Sequence, residues 1–412
     1  VTDPRDVLVV GGGPAGAACA YWLAEAGHDV LLLEKKRYPR EKTCGDGLTP
    51  RSVKELEAMG LGDALKDHHR FDGLRSIAFG RTLELEWPSH PEFPNYGYVV
   101  TRKDLDHLVA ERAVKSGATL WQESEALAPV VDGGLVRGAV VRRKETDSTE
   151  EVRARYVVVA DGSLSRFGRS LGTSRNKGFP QGMAIRGYYE SPRHDEPWIE
   201  SHLDVRDKNG NVLPGYGWIF PVGDGRVNVG VGLLSTFNQW KSVNTSHLMD
   251  AFVDWAPKSW ELSPETSCGP PTGGRLPMSF SVGPRVGPTW LVAGDAGGAI
   301  NPFNGEGIAY AYETGRIAAE TLDVALRTGD GLALRGYEAR LTAEYELYYK
   351  VARAFVRIIG NPQAMRLLVS TGMRSRTLME WVLRIMANLL RPDELGPAEA
   401  AYRAVALLAR VA

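Results

Sequence analysis

The 412-residue chain predicts an α/β protein, an α+β composite, and three features predict it. Near the N-terminus an apolar run passes through closely spaced glycines into a helix-forming stretch, the strand–turn–helix pattern of a Rossmann-like, doubly wound sheet. Residues 171–284 carry strand-like alternation, tryptophans and turn signals such as KNGN and GDG, which predict an antiparallel β-sheet inserted into the first domain. Beyond residue 331 the chain reads as helical. The expected division is 1–170 with 285–330 for a discontinuous nucleotide-binding domain, 171–284 for the inserted sheet (with 76–99 as candidates to join it), and 331–412 for a C-terminal helical region.

Composition narrows the function classes. With 43% hydrophobic residues the chain fills a sizeable core, and its net charge of -1 gives no global field for nucleic acid, so no nucleic-acid partner is expected. Cys19, Cys44 and Cys268 share no metal-ligand spacing and are odd in number, which fits a reducing compartment and no metal site. A strand begins almost at once, leaving no room for a signal peptide, and no window has the roughly 18 apolar residues of a membrane span. The expected location is the cytoplasm; the sequence does not set the oligomeric state.

In chain order, the first element is VLVVGGGPAG, residues 7–16. Gly11 permits the tight turn, Gly13 lets a pyrophosphate approach the backbone, and Gly16 lets helix and strand pack closely. The helix that follows presents N–H donors and a positive dipole end. The second strand ends at Glu34, whose carboxylate stands at the distance from the glycines where a ribose hydroxyl is held. RARYVVVADGSLSR then runs a strand into Asp161 and Gly162, and WLVAGDAGGAINPFNGEGIAYA places another before Gly294 and Asp295. Ligands of doubly wound sheets gather at the carboxyl ends of the strands, so three such ends point to one long cofactor.

This combination resembles the flavoprotein monooxygenase and geranylgeranyl reductase superfamily over about residues 5–330, with a p-hydroxybenzoate hydroxylase-like fold. The resemblance implies FAD as cofactor. It implies that Gly11, Gly13, Ala15 and Gly16 line the pyrophosphate, that Glu34 holds the adenosine ribose with Lys35 beside it, and that Asp295 holds the ribityl chain. It further places Arg102, Asp161, Gly162, Gly294, Cys44, Gly45, Gly305, Gly307 and Ile308 at the cofactor. Taken alone, Arg102 reads as a surface partner of Asp104 or Asp106, Asp161 as a helix cap, and Gly305 and Gly307 as packing glycines. Gly305, Glu306 and Gly307 open a helix whose positive end favours the anionic reduced flavin.

Fold does not choose between hydroxylation, halogenation and reduction. The segment KTCGDGLTPR, with Cys44, Gly45 and Gly47, resembles the loop that geranylgeranyl reductases place against the flavin. YGWIFP, residues 216–221, followed by Gly230 and Gly232, matches the aromatic signature of the same family. Strand alternation puts Tyr216, Trp218 and Phe220 on one face as a wall for an apolar, extended substrate, while the blander reading is ordinary sheet core. The histidine that commonly follows the aspartate in hydroxylases is absent from DAGGAINPF. The implied reaction saturates an isoprenoid C=C, best matched by one isoprene unit of a menaquinone tail, with geranylgeranyl diphosphate or a polyprenyl lipid as the second choice and an FAD-dependent aromatic hydroxylase or halogenase as the alternative. Tyr216 and Trp218 are placed with Cys44 at the catalytic centre, and Cys44, Tyr216 or a bound water supplies the proton. No second glycine fingerprint follows a strand, so NAD(P)H or another reductant visits transiently as electron donor.

Residues 350–412 hold Lys350 and nine arginines against four acids, a net of +6. Leu378, Trp381, Val382, Ile385, Met386, Leu389 and Leu390 form one apolar stripe at helical spacing, with Arg376, Arg384 and Arg391 interspersed. Such a stripe usually packs on its own protein; with this charge it is also a candidate for peripheral contact with the inner face of the cell membrane.

Overall fold

The computed structural model describes residues 4–391 and 396–411. Arg5–Val10 lies parallel to Val30–Leu33 on one side and to the second half of Ser148–Val159 on the other. Thr119–Trp121 and Trp290–Val292 extend this parallel part, and the first half of Ser148–Val159 departs into an antiparallel ribbon with Leu135–Arg143 and Ser124–Asp132. These parallel strands are apolar without alternation because both faces are covered. Val7 and Val9 face one core, shared with the helices Pro14–Glu25 and Ile308–Thr328, while Leu8 and Val10 face another. Pro14 starts its helix at the position where a missing N–H costs nothing. The alanines that follow keep that helix thin, so that a Cβ on Gly315 of the later helix would lie 2.3 Å from the Ala15 carbonyl oxygen.

The second sheet has seven strands in the order Thr272–Pro277, Gln181–Glu190, Arg226–Leu234, Gly215–Pro221, Trp198–His202, Gly73–Ala78, Arg81–Glu86. Every neighbouring pair is antiparallel except Trp198–His202 with Gly73–Ala78. One face packs through Ile219, Val227, Val229 and Val231 on the helix Thr245–Trp255; the other meets the first sheet's loops. Segment 268–278 carries the edge strand Thr272–Pro277. Its TGGRLP lacks alternation, and backbone pairing with Gln181–Glu190 alone makes it a strand. Gly97–Val99 joins neither large sheet and pairs instead with Gly47–Leu48 and His69–Phe71.

The C-terminal region is helical, and the apolar stripe differs from expectation. Its helix runs Arg376–Met386 and stops because Asn388 turns left-handed (φ 54°), with Asn388 N–H bonded to the Ile385 carbonyl at 3.1 Å and Leu389 N–H to that of Arg384 at 2.9 Å. Leu389 and Leu390 therefore lie beyond the helix. Its most buried positions are Met379 and Leu383, off the expected stripe, and Ile385 and Met386 pack against the first core.

Candidate active site

The glycine turn closes the first sheet tightly. Gly11 has φ 105°, and a Cβ there would lie 2.4 Å from the Ala160 carbonyl oxygen; one on Gly16 would lie 1.9 Å from that of Gly11. At Gly13 no atom stands within 4 Å of such a Cβ, leaving the backbone open to a ligand. Glu34 is buried beside this turn, accepting the Lys36 N–H at 2.9 Å and pairing with Arg40 at 2.9 Å, while Lys35 is exposed. Arg40 reaches on to Asp106 at 2.8 Å. Arg102 clamps the same carboxylate at 2.7 and 2.8 Å, so its pair with Asp106 lies in the interior and not on the surface, while Asp104 accepts the Thr101 hydroxyl at the helix start.

Asp161 accepts an N–H of the short helix Arg166–Ser170, as the plainer of its two readings expects. One oxygen accepts the Phe167 N–H at 3.1 Å, and the other is buried with no partner; a Cβ on the adjacent Gly162 would meet nothing within 4 Å. Asp295 sits in the turn after Trp290–Val292, and a Cβ on Gly307, the cap of the helix Ile308–Thr328, would be 3.4 Å from its Oδ1. Burial pushes the Asp295 carboxyl up, opposed by Lys42 and Arg102. The open backbone at Gly13 and Gly162, the unpartnered Asp161 oxygen and an acid beside a helix N-terminus fit one extended dinucleotide.

The aromatic side chains stack along one face of Gly215–Pro221, with Tyr216 and Trp218 centred 5.8 Å apart and Trp218 and Phe220 6.3 Å apart. Trp218 is paired across the sheet with Gly230, where a Cβ would come 2.1 Å from the indole ring. This explains the glycine in the strand: the ring lies flat over its neighbour. Two loops press on the same face. A Cβ on Gly45 or Gly47 would be 3.3 or 3.1 Å from the Phe220 ring, and one on Gly305 would be 3.5 Å from the Tyr216 hydroxyl. Tyr216 donates its hydroxyl to the Asn304 carbonyl at 2.7 Å, and Trp218 donates Nε1–H to Asn228 at 2.9 Å.

Cys44 is part-buried beside this face; burial pushes its thiol up, Arg102 pulls it down and Asp46 pushes it up. Burial likewise pushes the Tyr216 hydroxyl up. Cys19 is buried in the first helix and Cys268 is exposed.

Sequence reasoning gave no role to the side chains of Asp46, Asn228 and Glu306. Asp46, enclosed between Gly45 and Gly47, is fully buried, and Asn228 points inward from a strand of valines. Glu306 receives the Thr49 hydroxyl on Oε1, its Oε2 is buried without a partner, and burial holds its carboxyl at about 7. A charged residue between two glycines and a polar residue among buried valines were the available signals.

The fold and the glycine edge define a flavoprotein: residues 5–191 match the family model "FAD binding domain". The chain belongs to the geranylgeranyl reductase family of FAD-dependent oxidoreductases. It is 42% identical over 397 residues to the menaquinone reductase of Mycobacterium tuberculosis (strain ATCC 25618 / H37Rv), covering 96% of this chain and 93% of that protein. It is 33% identical over 360 residues to digeranylgeranylglycerophospholipid reductase 1 of Methanopyrus kandleri, covering 86% of this chain and 90% of that one. In fold it resembles the crystal structure of a geranylgeranyl bacteriochlorophyll reductase-like protein from Thermoplasma acidophilum (TM-score 0.80, 23% identity, 98% and 99% of the two chains).

Proposed function

We propose that this protein uses FAD to saturate one C=C bond in the isoprenoid tail of a menaquinone. The observation that carries this reading is the aromatic face of Tyr216, Trp218 and Phe220 closed over by the Cys44–Gly47 and Asn304–Gly307 loops. The two curated relatives act, by their names, on a menaquinone and on a digeranylgeranyl lipid, which share only an isoprenoid chain. Hydroxylation and halogenation of an aromatic compound have no such support.

The glycine turn, Glu34, Arg102, Asp161, Asp295 and the Gly305–Ile308 helix start would hold FAD, which would supply a hydride when reduced. The chain's own residues do the rest. The aromatic face orients the hydrocarbon, excludes water and tolerates positive charge developing on the alkene. Tyr216 and Trp218 belong to this wall and not to proton delivery, because both X–H groups are committed to Asn304 and Asn228. Of the expected donors Cys44 and a bound water remain, and the raised pKa of Cys44 keeps its thiol proton at neutral pH.

The test is an anaerobic single turnover of dithionite-reduced enzyme with a polyprenyl menaquinone, the quinol head then re-oxidised in air. A gain of two mass units located in the tail is the expected result; an unchanged tail overturns the reading.

The lipid-borne chain reaches the aromatic face from a membrane surface through the C-terminal helices. Among the described residues no helix is long and apolar enough to cross a membrane. Ile358, Leu367, Leu368 and Leu378 are exposed at 55%, 67%, 47% and 37% along three successive helices that also expose Arg357, Arg366 and Arg376, with Arg374 exposed between the last two. The last of these helices ends at the site, where the Met386 carbonyl accepts from Asn304 at 3.2 Å. Co-sedimentation with anionic vesicles that weakens with salt is expected, each basic group contributing about 1 kcal/mol; equal partition onto neutral vesicles, or none onto either, refutes the contact.

A further inference from the structure

Beneath Cys44 lies a buried polar node that the reaction as described does not use. Asp46 has no exposed surface, and its backbone is left-handed (φ 65°). Its Oδ2 accepts the Tyr188 hydroxyl and, at 2.8 Å, the Asn228 amide; its Oδ1 accepts the Arg102 backbone N–H at 3.3 Å. Asn228 also donates to the Cys44 carbonyl at 2.9 Å and accepts the Trp218 indole N–H at 2.9 Å. Arg186, itself buried, donates to the Cys44 carbonyl at 3.2 Å. Two strands and one helix thus converge on a single carboxylate.

We infer that Asp46 is a positioning residue for Cys44, its carboxylate gathering Tyr188, Asn228 and Arg102 into one node that holds the Cys44–Gly47 loop against Trp218. A buried carboxylate needs such donors, and burial still holds this one at about 6, so it is mostly ionised at neutral pH. Its charge then acts on the neighbouring sulfur. The groups facing the Cys44 thiol are Asp46 on its own loop, Arg102 at the start of its helix, Tyr216 on the aromatic strand and Tyr312 on the helix Ile308–Thr328. Burial raises the thiol pKa most; among the charges Arg102 favours the thiolate and the Asp46 carboxylate opposes it. The same carboxylate therefore fixes where the thiol stands and adds to the burial that keeps its proton, which bears on the reaction through the reading that Cys44 delivers it.

The test follows the pH dependence of iodoacetamide alkylation in the FAD-loaded protein, quantified on the Cys44 peptide so that exposed Cys268 does not interfere. Asp46→Asn keeps the shape and tolerates the left-handed backbone while removing the charge. Its alkylation midpoint should fall by about one pH unit or more; its amide nitrogen faces a donor where a carboxylate oxygen accepted one, so the high-pH plateau rises as well and the midpoint alone reads the charge. An unmoved midpoint, or faster alkylation through a higher plateau alone, overturns the electrostatic part. Tyr188→Phe keeps the charge and loosens the node: the midpoint should stay and the plateau rise. A midpoint that falls as far as in Asp46→Asn, or a plateau that does not rise, overturns the node. Turnover is a separate arm. Wild-type alkene saturation by Cys44→Ala would take Cys44 out of the reaction without touching either alkylation result, so failure of the functional reading and failure of the node are told apart.

Discussion

Glycines serve the nucleotide edge and the aromatic strand in different ways. At the nucleotide edge backbone meets backbone: a Cβ on Gly16 would strike the Gly11 carbonyl oxygen, five residues away in the chain. At the aromatic strand backbone meets side chain: a Cβ on Gly230 would strike the Trp218 ring, and those on Gly45 and Gly47 would crowd Phe220 from a loop more than 170 residues earlier. The first arrangement is rigid because neither partner can move without unwinding a strand or helix. The second depends on where large rings rest, and those rings are placed by hydrogen bonds to Asn228 and Asn304.

This contrast predicts how each region breaks. The largest effect is expected from Trp218→Ala, which removes a nearly buried ring and costs about 3–5 kcal/mol of stability. If the wall is for substrate, the surviving folded protein keeps its FAD and loses turnover on long isoprenoid chains. Unchanged kinetics in a flavin-loaded Trp218→Ala protein would reduce the wall to core. Gly16→Ala comes next, with about 3 kcal/mol of overpacking that cannot be relieved by a rotamer change. Its signature is opposite, loss of flavin from the purified protein, measured by absorbance of a denatured extract; full FAD content would show the edge to be softer than its contacts imply.

Gly230→Ala sharpens the comparison because its obstacle is a side chain. A cost of about 1–3 kcal/mol in urea unfolding is expected, with FAD retained and alkene saturation slowed as the indole tilts off Asn228. Flavin loss in this variant would mean that the two regions are not separable. The smallest effect belongs to Tyr216→Phe, which deletes one hydrogen bond to the Asn304 carbonyl and costs about 1 kcal/mol while leaving the wall apolar. Near-normal turnover is expected there; a collapse of kcat with unchanged KM would return Tyr216 to proton delivery.

Much of the cofactor edge was legible in the chain because its signals are local. Gly11, Gly13 and Gly16 sit within one turn, and Asp161 and Asp295 each follow directly on the strand that presents them. The aromatic face was legible for the same reason, since alternation along one strand assigns Tyr216, Trp218 and Phe220 to one side. The edge strand Thr272–Pro277 is made by its pairing and not its composition, so nothing within its own residues marks it. The apolar stripe of the C-terminal helix ran past its true end because helical spacing says nothing of where Asn388 turns left-handed.

What the sequence by itself determined was each element whose cause lies within a few residues: the glycine turn, the strand ends, the direction of alternating side chains and the polarised charge of the tail. Only the tertiary structure decided which distant groups share a point. Asp46 meets Tyr188 and Asn228 across 142 and 182 residues, and Arg102 turns its guanidinium inward to Asp106, away from the surface. The physical reason is that burial sets the worth of a polar group: inside, a carboxylate must find donors from whatever elements the packing brings near, and no spacing along the chain encodes that meeting.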